Sequence, residues 1–537
     1  MRDDTRRGDV RRTGVLIVGA GPAGLVLACE LARRGIAHRL VERDERHFAG
    51  SRGKGLQPRT QEVFEDLGVL ERVRADGGPY PPMRAYRGDE VVWEGRIDEM
   101  REPTPDVPYP NAWMLPQWRT GEILRERLAE LGGGADGAGV ELGTELVGLE
   151  QDGDGVTALL RVGDGAGGST GQRVRADYLV GADGGRSTVR RLAGVGFAGE
   201  TREDERMLIA DIRVEGVDRD HWHVWQTEDA DGNALPVALC PLAGTDTFQL
   251  VLPVPAGTEA PEATVPLLQG VLDAATGATA TGAPGRMRVT GLVWTSLFRA
   301  NIRMAERFRV GRVFLAGDAA HVHSPAGGQG LNTGVQDAYN LGWKLAAVLE
   351  GAPAGLLDSF EEERLPVAAD VLGISTRLHD KGVAGDADAH RRDDPELHQL
   401  GLGYREGPLS HEERTGVELG VVLAGDRAPD GTTKDGARLF EVFRGTGVTL
   451  LAYGDGSERV AAQVAGAATG VAVAVGSDAA RRGYGIGVDA DVLLLVRPDG
   501  YLGLALDVDA QGVEAAVGRV RSYLTTVQGT RGSQPKS

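Results

Sequence analysis

The sequence predicts an α/β protein with more than one domain, and three patterns in the chain support this expectation. A short apolar run at residues 14–18 leads into closely spaced glycines and then into apolar residues at helical spacing. Residues 197–298 are rich in β-type side chains, and beyond about residue 402 short β runs precede a closing helical pattern. The length of 537 residues agrees, because single cores stop growing beyond about 250–300 residues.

The first unit of the chain is predicted to be strand, turn, helix and strand. Residues 14–18 are typical of a buried parallel strand, and the apolar residues of 25–32 fall on one helical face. Gly35 ends this helix, and a second strand is predicted at 38–41. This order is the beginning of a βαβ unit.

The turn of this unit has the spacing of a dinucleotide site. Gly19, Gly21 and Gly24 form a GxGxxG pattern between the strand and the helix. The first glycine permits the tight turn, the second lets a pyrophosphate approach, and the third lets the helix pack on the strand. Glu42 follows the second strand, where a carboxylate accepts hydrogen bonds from ribose hydroxyls. FAD and NAD both stay open at this point, whereas Glu42 would repel the 2′-phosphate of NADP.

Further strands and one long helix are predicted in the middle of the chain. Strands are expected at 177–180 and 312–316, each followed by a turn that contains Gly and Asp. Residues 163–172, GDGAGGSTGQ, predict a hairpin tip. A long helix is expected from about 330 to 350, and the polar residues 379–396 are expected to form a linker or surface loop.

The C-terminal part is predicted to be a small separate α/β domain of ordinary size. Short β runs, GVTLLAYG, GVAVAVG and DVLLLVRPDGYLGLAL, are followed by a helical pattern at 513–527.

The segment GDAAHVHSPAGGQGLN, residues 317–332, allows two interpretations. His321 and His323 would share one face of a strand and could form a metal pair, but no third His or Cys ligand stands nearby. The glycines expose backbone N–H groups, and a following helix N-terminus favours negative charge. We therefore expect a surface for an anionic cofactor, with Asp318 accepting from its hydroxyls, and no metal site.

Composition excludes several classes of function. The chain has 59 Lys and Arg against 78 Asp and Glu, a net charge of −19, which disfavours nucleic acid and anionic membranes as partners. It lacks a run of about 18 apolar residues that could span a bilayer. The only cysteines, Cys29 and Cys240, fit a reducing cytoplasm, where we expect a monomer or homodimer. No GxSxG or HExxH pattern supports hydrolase or zinc-protease chemistry.

Three motifs together resemble the class A FAD-dependent aromatic monooxygenases, the family typified by para-hydroxybenzoate hydroxylase. They are GAGPAG at 19–24, ADGGRSTVR at 182–190 and GDAAHVHSPAGGQGLN at 317–332. Weaker matches are RGKGLQPRTQEVFEDLG, which implies that Arg52 or Arg59 lies near the flavin, and LPQWRTGEILRERL, where Gly121 replaces the usual Glu. The resemblance covers about residues 14–380.

The C-terminal part resembles the thioredoxin-like appendage of the phenol hydroxylase and polyketide hydroxylase branch, through GDRAPD and LVRPDGY. The Trp-Arg that often follows the second motif is replaced by LGLALD, and no CxxC is present, so thiol redox chemistry is excluded. The resemblance implies a Rossmann-like FAD-binding domain at 14–80, 116–196 and 299–400, a β-sheet substrate domain at 81–115 and 197–298, a thioredoxin-like domain at 402–527, and flexible tails at 1–13 and 528–537.

The resemblance also implies which residues bind the cofactor, although it names no catalytic side chain and leaves the base for a phenol unknown. Arg190, and also Arg186, are candidates to receive the pyrophosphate of the nicotinamide. The implied cofactor-binding residues are Gly19, Gly21, Pro22, Ala23, Gly24, Glu42, Arg43, Arg52, Gln117, Asp183, Arg190, Gly317, Asp318, Pro325, Gly328, Gly330, Leu331 and Asn332.

The implied activity is FAD-dependent hydroxylation of a polycyclic aromatic, polyketide-type substrate by O₂, with NADPH or NADH as reductant. In this family oxygen is transferred through a flavin C4a-hydroperoxide. Three alternatives stay open: Baeyer–Villiger or epoxidising chemistry on the same scaffold, a flavoprotein reductase that does not use O₂, and a flavin-binding protein without turnover.

Overall fold

The computed structural model describes residues 11–528 except 133–138, 164–167, 228–235, 256, 278–286, 325, 384–390, 393 and 418–419. The predicted tail at 528–537 therefore lies outside the described residues from 529 onward, as do residues 1–10 and the centre of the predicted hairpin tip. No helix of the described residues is long and apolar enough to cross a membrane.

The first domain is built on an eight-stranded sheet whose central strands are parallel, as predicted, and is here called the parallel-sheet domain. The strand order is β17-β18-β11-β1-β2-β8, with β10 paired to β11 and β9 to β10. The strands are β1 (Arg11–Val18), β2 (His38–Val41), β8 (Val140–Glu141), β9 (Thr144–Asp152), β10 (Gly155–Gly163), β11 (Ser169–Gly181), β17 (Arg309–Val310) and β18 (Val313–Leu315).

Helices cover this sheet, and a three-stranded sheet lies beside it. Helix α1 (Pro22–Arg33) packs on α7 (Gly330–Leu349) and α4 (Gln117–Glu130) because its apolar positions face them, and this contact forms the main core. The small sheet has the order β3-β7-β4. The elements are α1 (Pro22–Arg33), α2 (Pro58–Asp66), α3 (Leu70–Asp76), α4 (Gln117–Glu130), α5 (Thr188–Leu192), α7 (Gly330–Leu349), α8 (Asp358–Val383), β3 (Gly55–Leu56), β4 (Gly78–Pro79) and β7 (Trp113–Met114).

The turn between β1 and α1 requires two of its glycines. Gly19 has φ +104°, and a Cβ there would stand 2.3 Å from the carbonyl oxygen of Ala182. A Cβ on Gly24 would stand 1.9 Å from the carbonyl oxygen of Gly19. The tight turn and the close packing predicted from GxGxxG are therefore both present.

The second domain is the antiparallel-sheet domain, with the strand order β19-β16-β12-β15-β14-β13-β5-β6 and one parallel pair, β13 with β5. Side chains alternate along its strands, so that one face packs on helix α6 and the other faces the parallel-sheet domain. The elements are β5 (Met83–Arg87), β6 (Glu90–Gly95), β12 (Phe197–Glu215), β13 (Trp222–Trp225), β14 (Val237–Pro241), β15 (Phe248–Val254), α6 (Val265–Ala275), β16 (Arg288–Ala305) and β19 (His321–Val322).

The C-terminal domain has a mixed five-stranded sheet, β20-β24-β23-β21-β22, with helices on its faces, as expected of a thioredoxin-like fold. Trp343 of α7 is part of its core, which attaches it to the parallel-sheet domain. The elements are β20 (His411–Glu413), α9 (Leu439–Phe443), β21 (Val448–Tyr453), α10 (Asp455–Ala465), β22 (Val471–Val475), α11 (Asp478–Gly483), β23 (Val492–Val496), β24 (Leu502–Asp507), α12 (Val508–Gln511) and α13 (Val513–Gln528).

The structure corrects three boundaries. Strand β16 runs through the predicted domain boundary at 298/299, because it pairs with β12 along its whole length. Residues 11–13, predicted as part of a flexible tail, pair with β11. Helix α8 continues to Val383, into the stretch predicted as a linker, and residues 384–390 of that stretch lie outside the described part of the chain.

Candidate active site

A large cavity lies between the carboxyl ends of the parallel strands and the inner face of the antiparallel sheet. Its volume is about 1570 Å³, whereas a pocket for one ligand usually has about 300–1,000 Å³. The cavity therefore has room for two ligands at once. The predicted cofactor residues that line it are Gly19, Gly21, Pro22, Ala23, Glu42, Arg43, Arg52, Gln117, Asp183, Arg190, Gly317, Asp318, Gly328, Gly330 and Leu331.

The turn before α1 presents an open backbone surface to this cavity. A Cβ on Gly21 would meet no atom within 4 Å, so the space in front of this residue is free for a ligand. The N-terminus of α1 has no side-chain cap, and its first N–H groups face this space with partial positive charge. This geometry suits a pyrophosphate.

Glu42 stands next to the turn, at the end of β2. Its Oε2 accepts a hydrogen bond of 2.9 Å from the backbone N–H of Ala20, and Oε1 accepts one of 3.1 Å from Asp44. These bonds fix the carboxylate at the cavity wall beside the glycine turn. The neighbouring Arg43 is exposed and also lines the cavity.

Asp318 lies across the cavity, directly after β18. Its side chain is exposed to the cavity, but the surrounding protein withholds bulk water, and this desolvation raises the pKa of its carboxyl. The turn before it is held from behind, since the backbone N–H of Gly317 donates to Oδ2 of Asp337 at 3.0 Å. Asp318 is thus placed to accept from hydroxyl groups of a cofactor.

The two histidines of this segment belong to a buried network. His321 Nε2 is 2.6 Å from Asp337 Oδ2, and His321 Nδ1 is 2.8 Å from His323 Nε2. Asp337 is also paired with Nε of Arg364 at 2.8 Å, and its neighbours His321 and Arg364 hold its pKa well below the usual range. Burial, and then His321, lowers the pKa of His323 to about 3.

This network accounts for the histidines without a metal ion. Both ring nitrogens of His321 have partners, and only His323 reaches the cavity wall. Among the residues that the structure describes, no group of three His, Cys, Asp or Glu side chains is placed to hold a metal. Asp337 and Arg364 were not identified from the sequence, because Asp337 lies beyond the end of the motif on α7 and Arg364 lies on α8, and only the fold brings both to His321.

The glycine loop after His323 turns its backbone toward the cavity. Gly327 and Gly328 have φ values of 81° and 64°, in the left-handed region that favours glycine. Asn332 lies behind the loop rather than in the cavity wall: its side chain accepts from Gln57 N at 2.8 Å and donates to Gly328 O at 2.8 Å. Gly24 likewise lies behind the wall, and Pro325 lies outside the described residues.

In the ADGGRSTVR segment, the side chains of Asp183 and Arg190 form hydrogen bonds with other groups of the protein. Asp183 caps α5, since its carboxylate accepts from Ser187 Oγ at 2.5 Å and from Thr188 N at 2.6 Å. The Arg190 guanidinium donates to Ala319 O and Gly185 O, both at 2.8 Å, and stacks on Phe197. These bonds hold the guanidinium in place at the cavity wall, and the role of Arg190 as a phosphate receptor stays a prediction.

Two further motifs place one predicted residue each at the cavity. Gln117 Oε1 accepts from the backbone N–H of Gly53 at 3.0 Å, which ties α4 to the segment that carries Arg52. Arg52 is exposed at the cavity and donates to Ser296 Oγ at 3.1 Å. Arg59, its sequence alternative, is buried away from the cavity and donates to Asp499 O at 2.7 Å.

The antiparallel sheet supplies the opposite wall, which the sequence did not reveal residue by residue. Trp222 faces the cavity, whereas Trp225, three residues later on the same strand, packs in the core against α6. The period-two alternation of HWHVWQ was the available signal for this difference. Apolar side chains dominate this wall, among them Met83, Met207, Ile209, Val224 and Val251.

The residues of the parallel-sheet side fit a flavin dinucleotide. The open backbone at Gly21 suits its pyrophosphate, Glu42 and Asp318 suit the hydroxyls of its ribose and ribityl chains, and the left-handed glycine loop exposes N–H groups for a flat anionic edge.

Comparisons with known sequences also indicate that the chain binds FAD. The sequence model of an FAD binding domain matches residues 12–375, and that of the aromatic-ring hydroxylase C-terminal domain matches residues 422–530. A flavin-dependent monooxygenase of Mycobacteroides abscessus is 47% identical over 91% of this chain and 96% of its own length. The 12-dehydrotetracycline 5-monooxygenase/anhydrotetracycline 6-monooxygenase of Streptomyces rimosus is 34% identical over 91% of this chain and 95% of its own.

A solved structure shares the whole architecture. Aklavinone-11 hydroxylase in a ternary complex with FAD and aklavinone superimposes with a TM-score of 0.75 at 27% sequence identity, covering 97% of this chain and all of the other.

Proposed function

This chain belongs to the FAD-dependent aromatic-ring hydroxylases, and from that premise we propose that it hydroxylates a polycyclic aromatic substrate of polyketide type with O₂ and NADPH or NADH. In the overall reaction one oxygen atom of O₂ enters a C–H bond of the ring and the other leaves as water, while the nicotinamide gives up a hydride. The two-ligand cavity is the observation on which the proposal rests.

The parallel-sheet side of the cavity holds the cofactor. Gly21 and the N-terminus of α1 receive the pyrophosphate, Glu42 the ribose hydroxyls, and Asp318 the ribityl or ribose hydroxyls. When bound, FAD accepts the reducing equivalents and activates O₂, chemistry that no side chain can supply. The chain's own residues bind and orient the cofactor and keep water from it.

The antiparallel-sheet side holds the substrate. Its apolar wall matches a flat polycyclic ring, and burial of that ring excludes water from the reacting atoms. Polycyclic substrates are named for two relatives, anhydrotetracycline for one and aklavinone for the other, which supports this class here. The methionines Met83 and Met207 are suited to rings of irregular outline because their side chains adapt in shape.

The nicotinamide has no second glycine turn of its own and approaches the cavity from solvent. We place its phosphates near Arg186, which is exposed and lines the cavity, rather than near Arg190, whose guanidinium is held by two backbone carbonyls. The predicted chemical route of oxygen transfer and the choice between NADH and NADPH stay predictions.

The cofactor assignment is tested by the substitution Glu42→Arg, with Glu45→Arg as matched control. Glu45 is exposed nearby but does not line the cavity, so both variants change the surface charge equally. We expect the first to weaken FAD binding at least about tenfold, because the carboxylate acceptor becomes a cation, and the second to leave it unchanged. Equal FAD dissociation constants for the two variants would contradict the assignment.

The reaction is tested with the yellow holoenzyme, isotopically labelled O₂ and a panel of polycyclic phenols, each with NADH and with NADPH. A product that carries one labelled oxygen, formed only when nicotinamide is consumed, is expected. Nicotinamide oxidation that reduces the flavin but never labels a substrate would favour a reductase and contradict the proposal.

A further inference from the structure

Lys54 places a cation in the apolar wall of the substrate side. Its backbone follows Gly53 and leads into β3, and its side chain crosses to the antiparallel sheet. There Nζ donates to Gln249 Oε1 at 2.5 Å and stands 4.7 Å from the ring centre of Trp222. All three residues, Lys54, Trp222 and Gln249, line the cavity.

The position of the ammonium group is fixed by a chain of hydrogen bonds. The amide Nε2 of Gln249 donates to Ser51 O at 2.6 Å and to Ser51 Oγ at 2.8 Å, so its Oε1 must point at Lys54. Ser51 Oγ in turn donates to the buried Asp211. The group is therefore held in place before any ligand arrives.

The nearest anion, Asp211, acts on this charge from a distance and does not form an ion pair with it. Among the described residues no carboxylate oxygen lies within 4.0 Å of Nζ, and the nearest acidic group in the network, Asp211, has both oxygens engaged by Ser51. Burial raises the pKa of Asp211 above its usual value, although its hydrogen bonds with Ser51 and the charge of Lys54 act against this rise. The adjacent thiol of Cys240 is buried and burial raises its pKa, so that it stays neutral. Tyr80, which also lines the cavity, has its pKa raised by burial as well.

We propose that Lys54, held over Trp222 by Gln249, binds an anionic oxygen on the substrate ring, an ionised phenol or enol, and so selects acidic polycycles. A charge held in an apolar wall is costly unless a ligand brings its counter-charge, and Lys54 has two further donors to offer. The inference rests on the proposed function and names the ionisation state of its substrate.

The flat face of Trp222 gives the site a second contact. A ring lying along the apolar wall can stack on this indole while its oxygen reaches Nζ, so that shape and charge are recognised together. Neutral polycycles would use only the apolar wall.

The test measures binding to the FAD-loaded enzyme in the absence of nicotinamide, with alizarin as probe and alizarin dimethyl ether as the neutral analogue. Alizarin changes colour on ionisation, so its absorbance reports both binding and its apparent pKa in the site. Lys54→Met should weaken binding of ionised alizarin at least about tenfold and raise the apparent pKa of the bound probe by about one unit or more, since one unit corresponds to a factor of ten. The neutral ether should bind parent and variant equally.

Three further arms complete the design. Lys54→Arg should recover part of the affinity because it restores the charge, and Lys381→Met, which removes one exposed lysine at the end of α8, should behave as the parent. An anthraquinone carboxylate is the probe that distinguishes recognition of a ring oxygen from recognition of any anion. If this probe binds tightly and alizarin shows no colour shift, the phenol or enol assignment is wrong.

Three results would overturn the proposal outright. The first is equal binding of alizarin by the parent and Lys54→Met, and the second is a parent that does not bind alizarin at all. The third is loss of FAD from Lys54→Met, measured by the released flavin, because Lys54 would then serve the cofactor. If alizarin binding depends on Lys54 but labelled oxygen never enters a substrate, the proposed hydroxylation fails and the anion site stands.

Discussion

Replacing Asp337 by Asn should loosen FAD although Asp337 itself does not line the cavity. The carboxylate is fully buried and serves three partners: His321 at 2.6 Å, Arg364 at 2.8 Å and the backbone N–H of Gly317 at 3.0 Å. In the variant an amide NH₂ must face at least one of these donors, and the Arg364 guanidinium loses its counter-charge inside the protein. The turn that carries Asp318 then loses its anchor.

The cost can be worked out from these contacts. Breaking a buried ion pair by removing one partner costs about 3–5 kcal/mol, and we take about 3 because Arg364 keeps Tyr404 Oη at 3.0 Å and Thr333 O at 3.2 Å. This lowers the folding equilibrium by roughly two orders of magnitude. The folded-state pKa of Asp337 is depressed, so its contribution is fully present above about pH 4 and is lost only as pH falls through that low pKa. The penalty should therefore be the same throughout the neutral range.

Urea unfolding gives the stability, and the recovery of flavin fluorescence on dilution gives the FAD dissociation constant, which should rise at least about tenfold. The matched control is Glu363→Gln, which strips a buried carboxylate from Lys344 at 2.7 Å and from Arg497 at 2.7 Å but lies outside the cavity wall. Both variants should be destabilised, and only the first should release FAD. An unchanged FAD dissociation constant in Asp337→Asn, or an equal rise in both variants, would refute the reasoning.

Three other expectations follow from buried groups. Burial lowers the pKa of His323 from 6.5 to about 3 in the folded chain, so the unfolded state takes up the proton first and the free energy of unfolding falls as pH drops below 6.5. Urea unfolding on either side of pH 6.5 should show that His323→Gln loses less of this free energy than the parent, by up to about 1.4 kcal/mol per pH unit. Glu62→Gln leaves the buried cations Arg59 and Arg427 without their shared carboxylate, so we expect a loss of about 3 kcal/mol in urea, and a change below about 1 would be inconsistent with this pairing. Exhaustive chelation should leave FAD content and turnover intact, because both nitrogens of His321 have protein partners; turnover restored by one added metal would show otherwise.

Local sequence signals were sufficient where the backbone itself makes the site. The strand predicted at 38–41 is β2 with the same bounds, and the helix predicted from about 330 to 350 is α7, Gly330–Leu349. The glycine spacing at 19, 21 and 24 could be interpreted because each glycine has a steric reason. A Cβ on Gly19 or Gly24 would collide with the backbone, and a Cβ on Gly21 would fill the space left open for a ligand.

Local sequence signals were insufficient where contacts between distant segments of the chain determine the structure. Helix α8 continues through the polar residues 379–383 because His379 contacts Ser324 Oγ at 3.0 Å and Glu205 Oε2 at 2.5 Å, partners that are far away in sequence. The motif predicted a phosphate ligand at Arg190, and only the fold shows that two backbone carbonyls and the ring of Phe197 also contact its guanidinium. Lys54 lies in the segment RGKGLQPRTQEVFEDLG, which predicted a flavin contact for Arg52 or Arg59. Only the fold brings Gln249 and Trp222 to Lys54.

The two sides of the cavity differ in how freely their residues can change. On the cofactor side, contacts come from backbone atoms and from turns in which a Cβ at Gly19 or Gly24 would collide with main-chain oxygens, so substitution there disrupts the fold and the cofactor site together. On the substrate side, Met207, Ile209 and Val251 point from regular strands into open space, where swaps of similar volume usually cost less than about 1.5 kcal/mol. The same scaffold can therefore keep one cofactor while its strands exchange side chains to fit different rings. A charged side chain such as that of Lys54, which reaches the substrate side, is accordingly more informative about the substrate than any residue of the glycine motifs.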